Sequence, residues 1–124
     1  MSGQIDLQSG IKQLQEFPDG RPVFMLNYLN YKATVTETGK TGKEAYADYL
    51  KAAVPFFNTL DAEIIFKGSP IATIIGPSEE SLWDDVLIVR YANKNEFMKI
   101  MAMKDYPREL RSLALLDSRL IFCK

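Results

Sequence analysis

Polar side chains within apolar segments are the residues of this chain most suited to chemistry. Asn27 lies in the apolar segment 22–32, and Arg90 lies in the apolar segment 83–97. Burying an amide without a hydrogen-bond partner costs roughly 1–3 kcal/mol, and burying an unpaired charge costs more. Asn27 and Arg90 lie on strands that should be neighbours in the sheet, so the two side chains converge if they share a face. Because a planar guanidinium suits bidentate recognition of anions, such a pair predicts a clamp for a carboxylate or an enolate.

An internal salt bridge explains Arg90 equally well. The carboxylates that could pair with it are Asp84, Asp85 and Asp117. A buried guanidinium needs a partner in either case, so the residue types alone do not decide between a ligand site and a structural ion pair. The segment 117–119, which precedes the last strand, offers an acid in Asp117 and a cation in Arg119, although a turn in which Asp117 and Ser118 cap backbone groups is favoured there.

Tyrosine phenols form the second group of side chains with possible chemistry. The chain contains six tyrosines, with Trp83 beside them. Such residues could line an apolar pocket for an aromatic or lipid-like ligand, with a phenol as proton donor. Aromatic residues at helical spacing are more often part of a core or a dimer interface, so both interpretations stay open. The candidate ligand-binding residues are Asn27, Tyr46, Tyr49, Trp83, Arg90, Arg111, Asp117 and Arg119.

The absence of histidine limits the available chemistry more than any other count. It excludes a His-based triad, a haem with a proximal His and a zinc site that uses His. Acid–base catalysis would need Asp, Glu, Lys, Tyr, Cys123 or water. A single cysteine allows no intramolecular disulfide and no thiolate cluster within one chain, so we expect no metal, no cofactor and a reducing cytoplasm.

Length and charge exclude several other classes of function. A chain of 124 residues predicts one domain, and 47% hydrophobic with 25% charged residues is typical of a soluble globular protein. Fifteen basic and sixteen acidic residues leave a net charge of -1, which predicts no binding to nucleic acid or to an anionic membrane. No apolar run approaches the roughly 18 residues that a membrane span needs.

The elements that must position these residues follow from hydrophobic periodicity. Thr41 and Glu44 form a capping box that starts a helix, and Pro55 should kink or break that helix. The predicted elements are a helix over 6–17, a strand over 23–31, a helix from 41 to about 60, a strand over 62–67 that resumes over 71–75, a strand over 85–91, a helix from 93, a short helix over 108–115 and a strand over 118–123.

After the first helix, this order is β-α-β-β-α-β, the ferredoxin-like α+β arrangement of an antiparallel four-stranded sheet with helices on one face. We expect a single domain over 1–124, with a helical extension over 1–20 and the ferredoxin-like core over 21–124. Both faces of the strands over 23–31 and 85–91 are apolar, so the face without helices needs a cover. A second copy of the chain is the simplest cover, which predicts a homodimer.

Six short motifs resemble one bacterial family. They are NYLNYK at 27–32, YADYL at 46–50, IIFKG at 64–68, WDDVLIVRY at 83–91, KDYP at 104–107 and LDSRL at 116–120. Over about 22–120 the chain resembles the family called domain of unknown function 1330, of the dimeric α/β-barrel superfamily. The resemblance implies two ferredoxin-like sheets that face each other in a homodimeric α/β barrel. Many members carry a histidine before the arginine that matches Arg111, where this chain has Leu110.

The function implied by the resemblance is open, because that branch has no established reaction. Other branches of the superfamily include cofactor-free monooxygenases, muconolactone-type isomerases, decarboxylases and haem-handling proteins. The first hypothesis is that the chain binds a small acidic or aromatic metabolite in a barrel cavity without turnover. The alternative is a cofactor-independent isomerase, lyase or monooxygenase acting on a small organic acid or aromatic compound. The missing histidine favours the first hypothesis, and whether the chain is an enzyme is undecided.

Overall fold

The computed structural model describes residues 7–78 and 80–124, so residue 6 of the first predicted helix lies outside the described residues. The elements are α1 (Leu7–Glu16), β1 (Val23–Tyr31), α2 (Gly42–Phe57), β2 (Ala62–Gly68), β3 (Asp85–Tyr91), α3 (Lys94–Ala102), α4 (Arg108–Ala114) and β4 (Leu115–Cys123). Within the described ranges, no helix is both long and apolar enough to cross a bilayer.

The four strands form one antiparallel sheet in the order β2-β3-β1-β4. This confirms the predicted α+β class with a four-stranded antiparallel sheet. Along β1, Val23, Met25 and Leu29 are buried on the face that carries the helices. Their neighbours Phe24 and Leu26 point the other way, because successive side chains of a strand alternate between faces, and they are half-buried. The core therefore lies on one side of the sheet.

The capping box at the start of α2 is confirmed. The Thr41 hydroxyl accepts from the Glu44 amide at 3.1 Å, and the Glu44 carboxylate accepts from the Thr41 amide at 2.9 Å. Gly42 directly follows Thr41. A Cβ at this position would lie 2.6 Å from the Ala114 carbonyl oxygen. The missing side chain thus lets α2 start directly against the end of β1 and the junction of α4 with β4, which fixes α2 beside α4.

Three predicted boundaries are wrong. The segment over 71–75 is a loop and not a continuation of β2, and its isoleucines Ile71, Ile74 and Ile75 are 92%, 90% and 94% exposed. Pro70 cannot donate to a strand ladder, so pairing with β3 ends at Gly68. The helix α2 ends at Phe57 and not near 60, two residues after Pro55. The strand β4 begins at 115 and not at 118, beside a register shift opposite the end of β1.

Candidate ligand-binding cavity

A cavity of about 1030 Å³ lies between the sheet and the helices. This volume is at the upper end of the range for ligand sites, roughly 300–1,000 Å³. All four helices and all four strands contribute to its wall. Apolar side chains form most of the wall, among them Leu14, Met25, Leu50, Phe57, Leu87, Val89, Phe97 and Ile100. Such a wall suits the apolar body of a ligand.

Asn27 is the buried polar residue of the cavity wall, at 8% exposure. Its amide nitrogen donates to the carbonyl oxygens of Met25 and Leu87, each at 3.3 Å. Its amide oxygen accepts from the guanidinium of Arg111 at 3.3 Å. The sheet therefore orients the Asn27 amide, and the amide in turn holds the side chain of Arg111 against the cavity.

Arg111 is a half-buried cation that pairs with no carboxylate among residues 7–78 and 80–124. Two other arginines of the wall already have partners within the protein. Arg108 donates to the carbonyl oxygens of Ile100 and Met103 at 3.0 and 2.9 Å. Arg119 pairs with a carboxylate 2.8 Å away. Since a half-buried guanidinium favours an anionic partner, Arg111 is the candidate contact for an anion in this cavity.

Four buried tyrosines surround this guanidinium: Tyr46, Tyr49, Tyr91 and Tyr106. The hydroxyls of Tyr49 and Tyr106 bond to each other. Burial raises the pKa of Tyr46 to about 12, although the neighbouring Arg111 opposes the rise. Burial, reinforced by the adjacent tyrosines, also raises the pKa of Tyr49 and Tyr91. The phenols are therefore protonated near neutral pH and act as hydrogen-bond donors rather than bases.

Arg90 does not reach the cavity, and the predicted convergence with Asn27 is wrong. Asn27 pairs with Leu87 across the sheet, and Arg90 lies three residues further along β3. An odd separation places two strand residues on opposite faces. Arg90 does form an ion pair, but with a carboxylate other than the predicted aspartates: its guanidinium is 3.9 Å from Glu63 on β2.

The remaining candidates lie at the edge of the cavity or outside it. Trp83 packs its ring against Tyr28 at 5.8 Å and does not line the cavity. The guanidinium of Arg119 lies 5.2 Å from the centre of the Trp83 ring and pairs with Asp117. Asp117 belongs to strand β4, so the predicted turn at this point is wrong as well. The structure brings together Asn27, Tyr46, Tyr49 and Arg111, with Arg119 at the rim.

A buried carboxylate beside the cavity was not expected from the sequence. Asp85 is 4% exposed and accepts hydrogen bonds from the hydroxyls of Tyr31 and Ser69. Burial, and then the bond to Asp85, raises the pKa of Tyr31. The burial of Asp85 could have been predicted from the sequence, because Asp85 and the buried Leu87 are two residues apart and therefore face the same side of the strand. A smaller cleft of about 330 Å³ lies beside Asp85. Tyr46 lines both this cleft and the main cavity.

The helix α1 is a second feature of the site that the sequence did not reveal. Its residues Gly10, Ile11 and Leu14 line the cavity. The helical spacing of Leu7, Ile11, Leu14 and Phe17 predicts an amphipathic helix, but nothing local shows what that helix covers. Because Phe17, just beyond α1, packs edge-on against Phe122 of β4 at 5.2 Å, the helix lies on the same side of the sheet as the cavity.

Two solved structures resemble the chain over nearly its whole length. The crystal structure of RPA0582, a protein of unknown function from Rhodopseudomonas palustris and a structural genomics target, is 30% identical, with 97% of this chain and 94% of that chain covered at a TM-score of 0.78. The structure of methylated RPA0582 is 32% identical, with 100% and 96% covered at the same score. No family model and no curated protein matches the chain. Since the likeness extends over both chains, this protein belongs to the same family as RPA0582.

Proposed function

We propose that the protein binds a small organic acid in the cavity, with the carboxylate of the ligand on Arg111. The observation that carries the proposal is a half-buried guanidinium on an apolar wall, without a carboxylate partner among the described residues. Two parallel hydrogen bonds from a guanidinium to a carboxylate satisfy both groups. The amide of Asn27 orients the guanidinium, and the phenol of Tyr46 lies beside it as a further donor.

The cavity supports binding more than turnover. Its phenols have raised pKa values and therefore do not accept protons near neutral pH. Among the described residues that line it, Glu63 supplies the one carboxylate, and that group is exposed and paired with Arg90. The alternative function, a cofactor-independent isomerase, lyase or monooxygenase, would need a proton acceptor near the anion. We therefore place binding first.

Titration calorimetry with benzoate, phenylacetate and hexanoate tests the proposal. Charge-assisted hydrogen bonds contribute roughly 1.5–3 kcal/mol, so Arg111→Gln should weaken binding by about 10- to 100-fold. Arg90→Gln is the matched control, because it removes the same charge from the opposite face of the sheet, and its effect should stay within about twofold. Benzamide, which has no charge, should bind the wild type weakly. Acid binding that does not depend on Arg111 would refute the proposal.

We also propose that the fold is ferredoxin-like, that the chain is a member of the family called domain of unknown function 1330, and that two copies pack their sheets face to face. The strand order β2-β3-β1-β4 with antiparallel neighbours supports the first part. The outer face of the sheet, opposite the helices, supports the dimer. It carries Leu26, Ile88, Phe66 and Ile121, of which the last two are 52% and 39% exposed. A second copy would bury this apolar surface.

A further inference from the structure

We propose that the acid carries an extended apolar tail, and that α1 is the wall along which this tail lies. The inference rests on the proposed function, because it takes the carboxylate at Arg111 as the fixed end of the ligand. It goes further by naming the class of ligand, an amphipathic acid such as a straight-chain carboxylate, and a residue, Gly10, that limits the length of its tail.

The size of the cavity argues for an extended ligand. An apolar cavity of roughly 150 Å³ is large enough to hold benzene. The cavity here measures about 1030 Å³, several times that volume. A single aromatic acid would leave most of the apolar wall without contacts, whereas a chain of methylenes would cover it. Each buried methylene adds contacts and removes apolar surface from water.

The distribution of polar groups argues for an amphipathic ligand. Asn27 on β1, Tyr46 on α2 and Arg111 on α4 meet at one position, through the contact of Arg111 with the other two. The part of the wall that α1 supplies is apolar, with Ile11 and Leu14 as its side chains. A ligand that matches both parts has one anionic group and a hydrocarbon remainder.

Several contacts hold the second half of α1, and the residues that follow it, against the rest of the protein. Leu14 is 2% exposed and belongs to the core. Phe17 packs on β4, and the ammonium group of Lys94 donates to the Gln15 carbonyl and pairs with Asp19 at 3.6 Å. These contacts all involve Leu14 or later residues. Gly10 lies one turn earlier on the cavity wall.

Gly10 is the position at which the space beside α1 can be changed without disturbing the protein. A Cβ added there would have no atom within 4 Å. Because Gly10 is exposed and also belongs to the cavity wall, a larger side chain there would occupy this open space and would not displace the core. Leucine also favours a helix more than glycine does, by close to 1 kcal/mol, so the variant Gly10→Leu should fold.

The test is calorimetric titration with straight-chain carboxylates from butanoate to dodecanoate. In the wild type, the dissociation constant should fall about fourfold for each added methylene until the tail fills the cavity. In Gly10→Leu, butanoate should bind within about twofold of the wild type, while dodecanoate should bind on the order of tenfold more weakly, since room for at least two methylenes is lost. Gln13→Leu adds the same side chain to an exposed position of α1, and it should leave the length preference unchanged.

The outcomes separate this inference from the proposed function. Affinity that depends on Arg111 but not on chain length would overturn the tail and leave the acid site in place. An equal loss for all lengths in Gly10→Leu, or the same change of preference in Gln13→Leu, would overturn the role of α1. Binding of no carboxylate, or binding that Arg111→Gln leaves intact, would overturn both proposals. Circular dichroism of each variant shows that it is folded.

Discussion

Asn27 links the sheet to the cation in the cavity. Its amide nitrogen is used by two backbone carbonyls of the sheet, so its oxygen must point toward the helices, where it accepts from Arg111. Without this acceptor, the guanidinium would have to find another partner or turn to solvent. A single buried amide thus keeps a positive charge inside an apolar wall.

The raised pKa of Tyr46 predicts a loss of stability at high pH. A phenol whose pKa is about 12 in the folded protein, against an ordinary tyrosine pKa of about 10, keeps its proton to higher pH in the folded state than in the unfolded state. Its contribution is fully present below about pH 10 and is lost as the pH rises toward 12, with an order of magnitude of 2–3 kcal/mol. Urea unfolding at several pH values measures this loss.

The phenol of Tyr46 can be separated from other alkaline effects by two variants. Tyr46→Phe should reduce the fall in unfolding free energy over this pH range, because the titrating group is gone. Tyr28→Phe, on the other side of the sheet, serves as the control. Its unfolding free energy should fall with pH as steeply as that of the wild type. Identical slopes for the wild type and Tyr46→Phe would contradict the assignment.

At the scale of elements, the junction of β1, α2 and α4 decides where Arg111 lies. The Lys32 amide donates to the Ala114 carbonyl at 3.0 Å, and the Gly42 amide donates to the Lys32 carbonyl at 2.8 Å. These bonds join the end of β1 to the start of α2 and the end of α4. The position of Arg111 over Asn27 follows from this junction, since Arg111 is three residues before Ala114.

Gly42→Ala should destabilise this junction. The added Cβ would lie 2.6 Å from the Ala114 carbonyl oxygen, and backbone atoms cannot move aside without shifting α4. We expect a loss of about 1–3 kcal/mol in the free energy of unfolding and weaker acid binding. The matched control is Gly10→Ala in α1, where the space is open and stability should rise by up to about 1 kcal/mol. Equal effects of the two substitutions in urea unfolding would rule out the close approach as the cause.

At the scale of the whole molecule, one side of the sheet is packed and the other is open. The loop after β2 also exposes apolar side chains, with Ile71, Ile74 and Ile75 at least nine-tenths exposed. Single exposed apolar residues are common on protein surfaces, but an apolar sheet face that carries several of them is typical of an interface. This surface is the basis of the proposed homodimer.

The dimer predicts a mass of two chains in size-exclusion chromatography with light scattering at micromolar concentration. Ile121→Arg places a charge on the open face, beside Leu26, and should shift the protein to one chain per particle. Leu110→Arg is the control, because Leu110 on α4 is exposed to a similar degree, 40% against 39% for Ile121, but lies on the helix side. A wild type that elutes as a single chain at this concentration would refute the dimer.

Local patterns in the sequence determined the helices, the four strands and the capping box of Thr41 and Glu44, because periodicity and capping depend on residues that are close in the chain. They also showed that Asn27 would be a buried polar residue. Only the tertiary structure decided which cation meets it, since Arg111 lies 84 residues away and reaches it through the packing of α4. Strand parity placed Arg90 on the other face once the register of β3 against β1 was known. The end of β2 likewise depended on pairing, because Ile71 and its neighbours have strand propensity but no partner strand.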